Sequence, residues 1–169
     1  SKIPFCVGNI ATGEAGKKLY NSGADIIMLP MFSDVTEVET FFNIVKGDVK
    51  TCLLLETSKA VSNIDEILKI SEIEEIHIGL NDLHLDMKLD FMFELFINGV
   101  VEELVMRFKD KKTDYGIGGI ATLNQGLVKG KYIIREHARL GSTGVILSRT
   151  FKKQFEEDES IFMREIGRA

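Results

Sequence analysis

The chain has 169 residues, of which 44% are hydrophobic and 28% are charged, and its formal net charge is −5. This is the composition of an ordinary globular domain, and no basic run marks a surface for nucleic acid. No apolar run reaches the ~18 residues that a membrane span needs. The two cysteines are too few for a disulfide framework, which favours a reducing cytoplasm.

Apolar runs alternate with helix signals in the first part of the chain. Residues 3–7 are apolar with an early proline, which predicts a first or edge strand, and residues 14–22 predict a short helix. Residues 25–30 predict a second strand, nearly all apolar, as expected of a parallel strand covered on both faces. The next helix is predicted to begin at Asp34, with Glu37 completing a capping box. Its apolar stripe comprises Val35, Val38, Phe41, Phe42 and Val45.

Two predicted strands that are each followed by a carboxylate form the most informative part of the sequence. Residues 51–57 predict the third strand, which Glu56 closes, and residues 75–80 predict the fourth, with Asp82 just past its end. The helix between them is predicted to begin with a cap at Asn63, three residues before a glutamate. Chemistry in parallel α/β folds lies at the C-terminal ends of the strands. The two acids therefore indicate a divalent-metal site or an acid/base pair.

Strand alternation predicts which side chains accompany the two carboxylates. Glu56 is expected on the same face as Leu54, and Asp82 on the same face as Ile78 and Leu80. If both faces point into a barrel, the two acids converge at its mouth. Their repulsion would raise the pKa of one of them unless a cation lies between them.

Strands and helices continue to alternate in the second half of the chain. Residues 91–109 predict a helix that is bent or broken at residues 98–99, residues 115–120 a glycine-rich fifth strand, residues 131–140 a helix, and residues 144–148 a sixth strand. Six strand–helix units predict a parallel α/β fold. The candidates are a complete open doubly wound sheet and most of a (β/α) barrel, which needs ~250 residues when complete.

Three segments carry a resemblance to a known family. Residues 54–68 place an acid after a strand and then an Asn-Ile-Asp-Glu-Ile helix start, and residues 76–83 end in Gly-Leu-Asn-Asp-Leu. With residues 23–31, they resemble the metal-dependent pyruvate aldolases of the 4-hydroxy-2-oxoheptanedioate aldolase and citrate lyase β-subunit family, in the phosphoenolpyruvate/pyruvate barrel superfamily. The match is clear over residues 23–85. The resemblance implies a parallel (β/α) TIM barrel, six of whose eight units lie in one domain, residues 1–169, without the N-terminal part.

The same resemblance implies a site and a reaction. Glu56 and Asp82 would be the ligands of Mg²⁺ or Mn²⁺, and backbone amides at Gly79, Leu80 and Asn81 would hold the substrate carboxylate. The implied function is that of a lyase, which carries out metal-dependent aldol cleavage or condensation of a 2-oxo acid through a pyruvate enolate. Mg²⁺ suits such a site because it prefers oxygen ligands and keeps several waters.

Further residues are weaker candidates. His84 lies two residues past Asp82, on the expected rim of the site, and Arg149 lies just past the sixth strand, where it could contact an anionic substrate. Both are candidate catalytic residues. His77 stands between two isoleucines, which predicts a strand residue that faces helices or core.

Two further expectations concern activity and assembly. The family has an arginine at the end of the strand before residues 23–25, where this chain reads Cys6-Val7-Gly8-Asn9. A catalytically inactive barrel that binds a small anion or a protein partner therefore stays open beside the aldolase. The resemblance also implies homo-oligomers, and residues 151–166 predict a charged helix suited to that contact. Its large apolar residues are Phe151, Phe155, Phe162 and Ile166.

Overall fold

The computed structural model describes residues 6–8, 25–45, 49–118 and 128–146. Within them, five strands form one parallel sheet in the order of the chain. The strands are β1 (Cys6–Gly8), β2 (Ile26–Leu29), β3 (Lys50–Leu55), β4 (Glu75–Gly79) and β5 (Asp114–Gly118). A doubly wound sheet reverses its strand order at a switch point, whereas a barrel wall does not. The sequential strand order therefore supports the parallel (β/α) barrel and excludes the doubly wound open sheet.

Helices connect the strands, as parallel pairing requires. They are α1 (Val35–Ile44), α2 (Ser58–Ser62), α3 (Ile64–Ile67), α4 (Leu80–Asp86), α5 (Glu94–Ile97), α6 (Val100–Lys111) and α7 (Gly130–Leu140). Beyond α7, Gly144 makes a parallel bridge to Gly116, at the start of the predicted sixth strand. No helix in the described ranges is long and apolar enough to cross a membrane.

The sheet has an outer, apolar face that packs on the helices. The register pairs Leu53 with Ile76 and Leu55 with Ile78, and it continues from Ile78 to Ile117. All of these side chains are fully or almost fully buried. They form the core together with helical residues, which include Val38, Phe41, Ile67, Leu104 and Phe108.

The opposite, inner face of the sheet is more polar. The register places Leu54, His77 and Gly116 side by side on it. Towards the N-terminal end of the strands, Lys50 forms an ion pair with Glu75 at 2.8 Å. This face is the interior side of the barrel wall, because the helices cover the other side.

Two helix boundaries follow the sequence signals. The side chain of Asp34 accepts a hydrogen bond from the Glu37 amide at 3.1 Å, and the Glu37 carboxylate accepts one from the Ser33 amide at 2.6 Å. The predicted break at residues 98–99 is confirmed, because Gly99 has φ +84° and separates α5 from α6. A positive φ favours glycine, so the break is built into the backbone.

The helix start predicted at Asn63 is confirmed in position, because α3 begins at the next residue, but the predicted side-chain cap is absent. The helical segment after β3 begins at Ser58, because the Thr57 hydroxyl accepts a hydrogen bond from the Ala60 amide at 3.1 Å. Asn63 makes no side-chain cap. Its amide instead donates to the Ser33 carbonyl oxygen at 3.0 Å. Thr57 already caps the helical segment directly after β3. The Asn63 side chain therefore contacts the loop after β2 instead.

Several predicted features lie outside the described residues. They are the start of the first strand, the helix at residues 14–22, the end of the sixth strand, Arg149, and the helix at residues 151–166.

Candidate functional site

Glu56 directly follows β3 and is a buried carboxylate, only 5% exposed. Its Oε1 accepts a hydrogen bond from the Met31 amide at 3.0 Å. Gly79 leaves room for the other oxygen, since a Cβ there would stand 2.8 Å from Oε2 and 3.0 Å from the Glu56 Cβ. Any larger residue at position 79 would therefore displace the carboxylate.

The loop after β2 holds the Met31 amide towards Glu56. Met31 has φ +54°, a left-handed conformation that costs energy in a non-glycine residue. The loop is tied to the segment after β3 by two hydrogen bonds. The Thr57 hydroxyl donates to the Phe32 carbonyl oxygen at 2.7 Å, and Asn63 donates to that of Ser33. No sequence signal pointed to Met31, because a backbone donor is independent of side-chain type.

The surroundings of Glu56 disfavour its negative charge. Burial raises the pKa of the Glu56 carboxyl above its ordinary value, and the charge of Asp82 raises it further, while the hydrogen bond from the Met31 amide acts in the opposite direction. Asp82 itself is exposed. The two carboxylates are therefore close enough to repel each other, as expected of two acids that share one site.

The face predicted for the fourth strand is wrong. Leu54 pairs with His77, and Leu55 pairs with Ile78. Glu56 therefore shares the inner face with His77 and Gly79, whereas Ile78 lies on the outer face in the core. The alternation within each strand was correct, but the alignment of one strand against the other depends on long-range pairing.

The route by which Asp82 reaches the site also differs from the prediction. β4 ends at Gly79, and α4 begins at Leu80, so Asp82 lies in the first turn of a helix. Leu80 is fully buried, and its side chain belongs to the core. Asn81 is exposed. The loop and helix start, rather than strand alternation, bring Asp82 towards Glu56.

His84 does not lie on an exposed rim. It is buried in α4, and its Nδ1 is 3.2 Å from the Leu80 carbonyl oxygen, one helical turn earlier. Because residues four apart share a helix face, the continuation of α4 turns His84 towards the protein. This contact holds the imidazole against the backbone of its own helix.

His77 is a buried strand residue, as predicted, but it faces the inner side of the sheet and not the helices. It lies on the inner face, 3% exposed, and its ring covers two glycines of β5. Burial and, to a smaller extent, the nearby His137 together lower the pKa of His77 to about 4, so the ring is neutral at physiological pH. The available signal was the pair Gly116 and Gly118, which leaves space on the next strand for a large ring.

The two carboxylates suit a hard divalent cation. In the described ranges, no group of three or more His, Cys, Asp and Glu side chains could hold a metal. Two carboxylates are nevertheless sufficient for Mg²⁺ or Mn²⁺, which complete their coordination with waters and substrate oxygens. A buried acid near a second acid is the donor set that a cation between them would stabilise. Glu56 and Asp82 therefore fit such an ion.

Fold and site together define a class, the parallel β/α-barrel proteins with acidic residues at the C-terminal ends of their strands. Residues 9–92 match the model of the HpcH/HpaI aldolase/citrate lyase family. Over these residues, the chain belongs to that family. Membership supports a lyase or aldolase activity in general terms.

Solved structures share the fold at low sequence identity. The structure of the citrate synthase SbnG has a TM-score of 0.69 at 15% identity, and the match covers 97% of this chain and 73% of that one. The HpcH/HpaI aldolase from Desulfitobacterium hafniense DCB-2 gives 0.68 at 12% identity, over 96% and 73%. RipC from Yersinia pestis gives 0.64 at 13% identity, over 85% and 70%. No protein of curated function matches the sequence significantly.

Proposed function

We propose that this protein is a divalent-metal-dependent lyase that cleaves or forms a carbon–carbon bond of a 2-oxo acid by aldol chemistry. The observation that carries the proposal is the Glu56 carboxylate. It is buried, lies beside Asp82, and has no cationic side chain as partner among the described residues. Buried charges in proteins are normally paired or bound to a metal.

Each residue of the site has a role in this proposal. Glu56 and Asp82 would hold Mg²⁺ or Mn²⁺. When bound, the ion supplies Lewis-acid stabilisation of the charge that develops on the keto oxygen. The Met31 amide fixes one oxygen of Glu56 at 3.0 Å and so orients the carboxylate. The backbone at Gly79, Leu80 and Asn81 would receive the substrate carboxylate, and Gly79 lies directly beneath Glu56.

Calorimetry with Mn²⁺ and then oxalate, a stable mimic of a 2-oxo acid, tests the proposal. Asp82→Asn keeps the shape of the side chain but removes its charge, so Mn²⁺ affinity should fall at least about tenfold, while oxalate should bind only after Mn²⁺. Asp110→Asn, which makes the same change at an exposed position of α6, should leave both affinities unchanged. Wild-type protein that binds no Mn²⁺, or Asp82→Asn that binds it normally, would refute the metal assignment.

The reaction itself is tested by pyruvate release from 4-hydroxy-2-oxo acids with added Mg²⁺ or Mn²⁺. Metal-dependent release that Asp82→Asn abolishes supports the lyase. One observation favours the inactive barrel as a second candidate, because β1 reads Cys6-Val7-Gly8 without an arginine. Binding of Mn²⁺ and oxalate without pyruvate release would select that alternative.

A further inference from the structure

His77 occupies an unusual place on the inner face of the sheet. Its ring lies over two successive inward positions of β5. A Cβ at Gly116 would clash with the imidazole Nδ1, and one at Gly118 would stand 2.7 Å from Nε2. Because Gly118 follows Gly116 along the strand, Nε2 is the nitrogen nearer to the C-terminal end of the sheet, where Glu56 lies.

The positions beneath Nε2 and beneath Glu56 are direct neighbours. Gly79 underlies the Glu56 carboxylate, Gly118 underlies the His77 Nε2, and the two glycines are partners in the register of β4 and β5. Neighbouring strands lie about 4.8 Å apart. The carboxylate and the imidazole nitrogen therefore stand over adjacent positions of one face, with no side chain on the strand positions below them.

The His77 Nε2 is buried and has no hydrogen-bond partner within the described part of the chain. Buried polar groups in proteins almost always have a partner, and each exception calls for an explanation. A neutral imidazole offers one N–H donor and one acceptor. Because the His77 Nε2 is buried, it can bind a ligand only if that ligand is also enclosed in the barrel.

We propose that His77 is a further substrate-binding residue of the site, whose Nε2–H donates a hydrogen bond to an oxygen of the enclosed 2-oxo acid. This inference rests on the proposed function, because it takes the ligand to be an acid held next to Glu56. The ligand supplies the hydrogen-bond partner that the described residues do not give to Nε2, and the ring adds a donor without competing with the cation.

The competing explanation is that the ring only fills the space above the two glycines. Two variants separate the explanations. His77→Phe keeps a large planar ring and removes both nitrogens, whereas His77→Gln loses the ring but can place an amide donor near the position of Nε2. His137→Gln makes the same exchange on the outer helix α7 and serves as the control.

Calorimetry with Mn²⁺ alone, and then with oxalate on the Mn²⁺-loaded protein, gives the test. Mn²⁺ affinity should change less than about twofold in all three variants. Oxalate affinity should fall at least about tenfold in His77→Phe, as expected for the loss of a hydrogen bond to a charged group. It should stay within about threefold in His77→Gln and His137→Gln. Wild-type oxalate affinity in His77→Phe, or an equal loss in His77→Phe and His77→Gln, would overturn the inference.

A measurement on the wild-type protein keeps the test valid if a variant fails to fold. In protein with ¹⁵N-labelled histidines loaded with Mg²⁺, oxalate should shift the Nε2 resonance of His77, while Mg²⁺ alone and the His137 signal should show no such change. An unchanged Nε2 resonance overturns the inference and leaves the lyase proposal standing. Wild-type protein that binds no Mn²⁺ refutes the lyase proposal and the inference with it.

Discussion

At the scale of single residues, Glu56 shows how a candidate metal ligand is kept at a cost to stability. Its carboxylate is buried, and its strongest described contact is one hydrogen bond from the Met31 amide. Burial disfavours the charged form. The same burial strengthens the interaction of the carboxylate with any cation that binds there, because the local dielectric constant is low. The unfavourable charge is therefore a reason to expect a ligand.

Glu56→Gln should stabilise the metal-free protein at neutral pH. The pKa of Glu56 is raised by burial above its ordinary value of 4.5, so the unfolded chain loses its proton first as pH rises. Stability therefore falls between the two pKa values and stays lower above them. Glu56→Gln should raise the thermal midpoint at pH 7 by about 2–4 °C, as ~1 kcal/mol does in a chain of this size.

The advantage of Glu56→Gln should vanish well below pH 4.5, where both states carry the protonated acid. Glu39→Gln, at an exposed position of α1, should show neither effect. A lower thermal midpoint for Glu56→Gln at pH 7 without metal would show that the charge is favourable in the folded protein.

At the scale of elements, β4 and β5 pack together because a large side chain on β4 lies over glycines on β5. The ring of His77 on β4 occupies the space that side chains at Gly116 and Gly118 on β5 would need. In the same way, Gly79 on β4 leaves space for Glu56 after β3. The site therefore depends on three glycines that face two large polar side chains across strand boundaries.

Gly118→Ala should destabilise the protein by about 1–3 kcal/mol, the usual cost of overpacking. The new Cβ would stand 2.7 Å from the His77 Nε2, so the ring must move. Urea unfolding measures the loss. In a double-mutant cycle, His77→Ala should remove most of it, because neighbours in contact are not additive.

Gly144→Ala is the control for Gly118→Ala, because its nearest contact would be an ordinary 3.6 Å to Glu75, and it should change stability little. Additive effects of Gly118→Ala and His77→Ala would contradict the described packing.

At the scale of the whole molecule, the described strands form a barrel wall in chain order, with acidic groups towards its C-terminal end and an ion pair towards its N-terminal end. Function at one end and stabilising contacts at the other are characteristic of parallel barrels. Assembly is a separate question, which the sequence addresses through the apolar residues predicted on the charged helix at residues 151–166.

Removal of residues 151–169 should shift the protein to a smaller species in light scattering, because Phe151 and its apolar companions are predicted to pack against another copy. Replacing Lys152 and Lys153 with alanine in the full chain changes charges on the same predicted helix and should leave the mass unchanged. An unaltered mass after the truncation would contradict a role of this segment in assembly.

Local sequence signals were sufficient to predict the features that depend on neighbouring residues. The alternation of strands and helices, the cap at Asp34, the break at Gly99, and the presence of an acid after each of two strands are local signals that can be read within a few positions. The barrel and its family followed from a motif in the same region. These predictions hold because hydrophobic period, capping and glycine conformation act over short distances in the chain.

Tertiary structure alone decided how the site is assembled. The register between β3 and β4 placed His77, rather than Ile78, on the same face of the sheet as Glu56. The early start of α4 carried Asp82 to the site on a helical turn, and the loop after β2 brought the Met31 amide to Glu56 across 25 positions. Each of these outcomes depends on the pairing of segments far apart in the chain. Such pairing is set by the packing of the whole sheet, and the glycines at positions 116 and 118 are consistent with it but do not define the register.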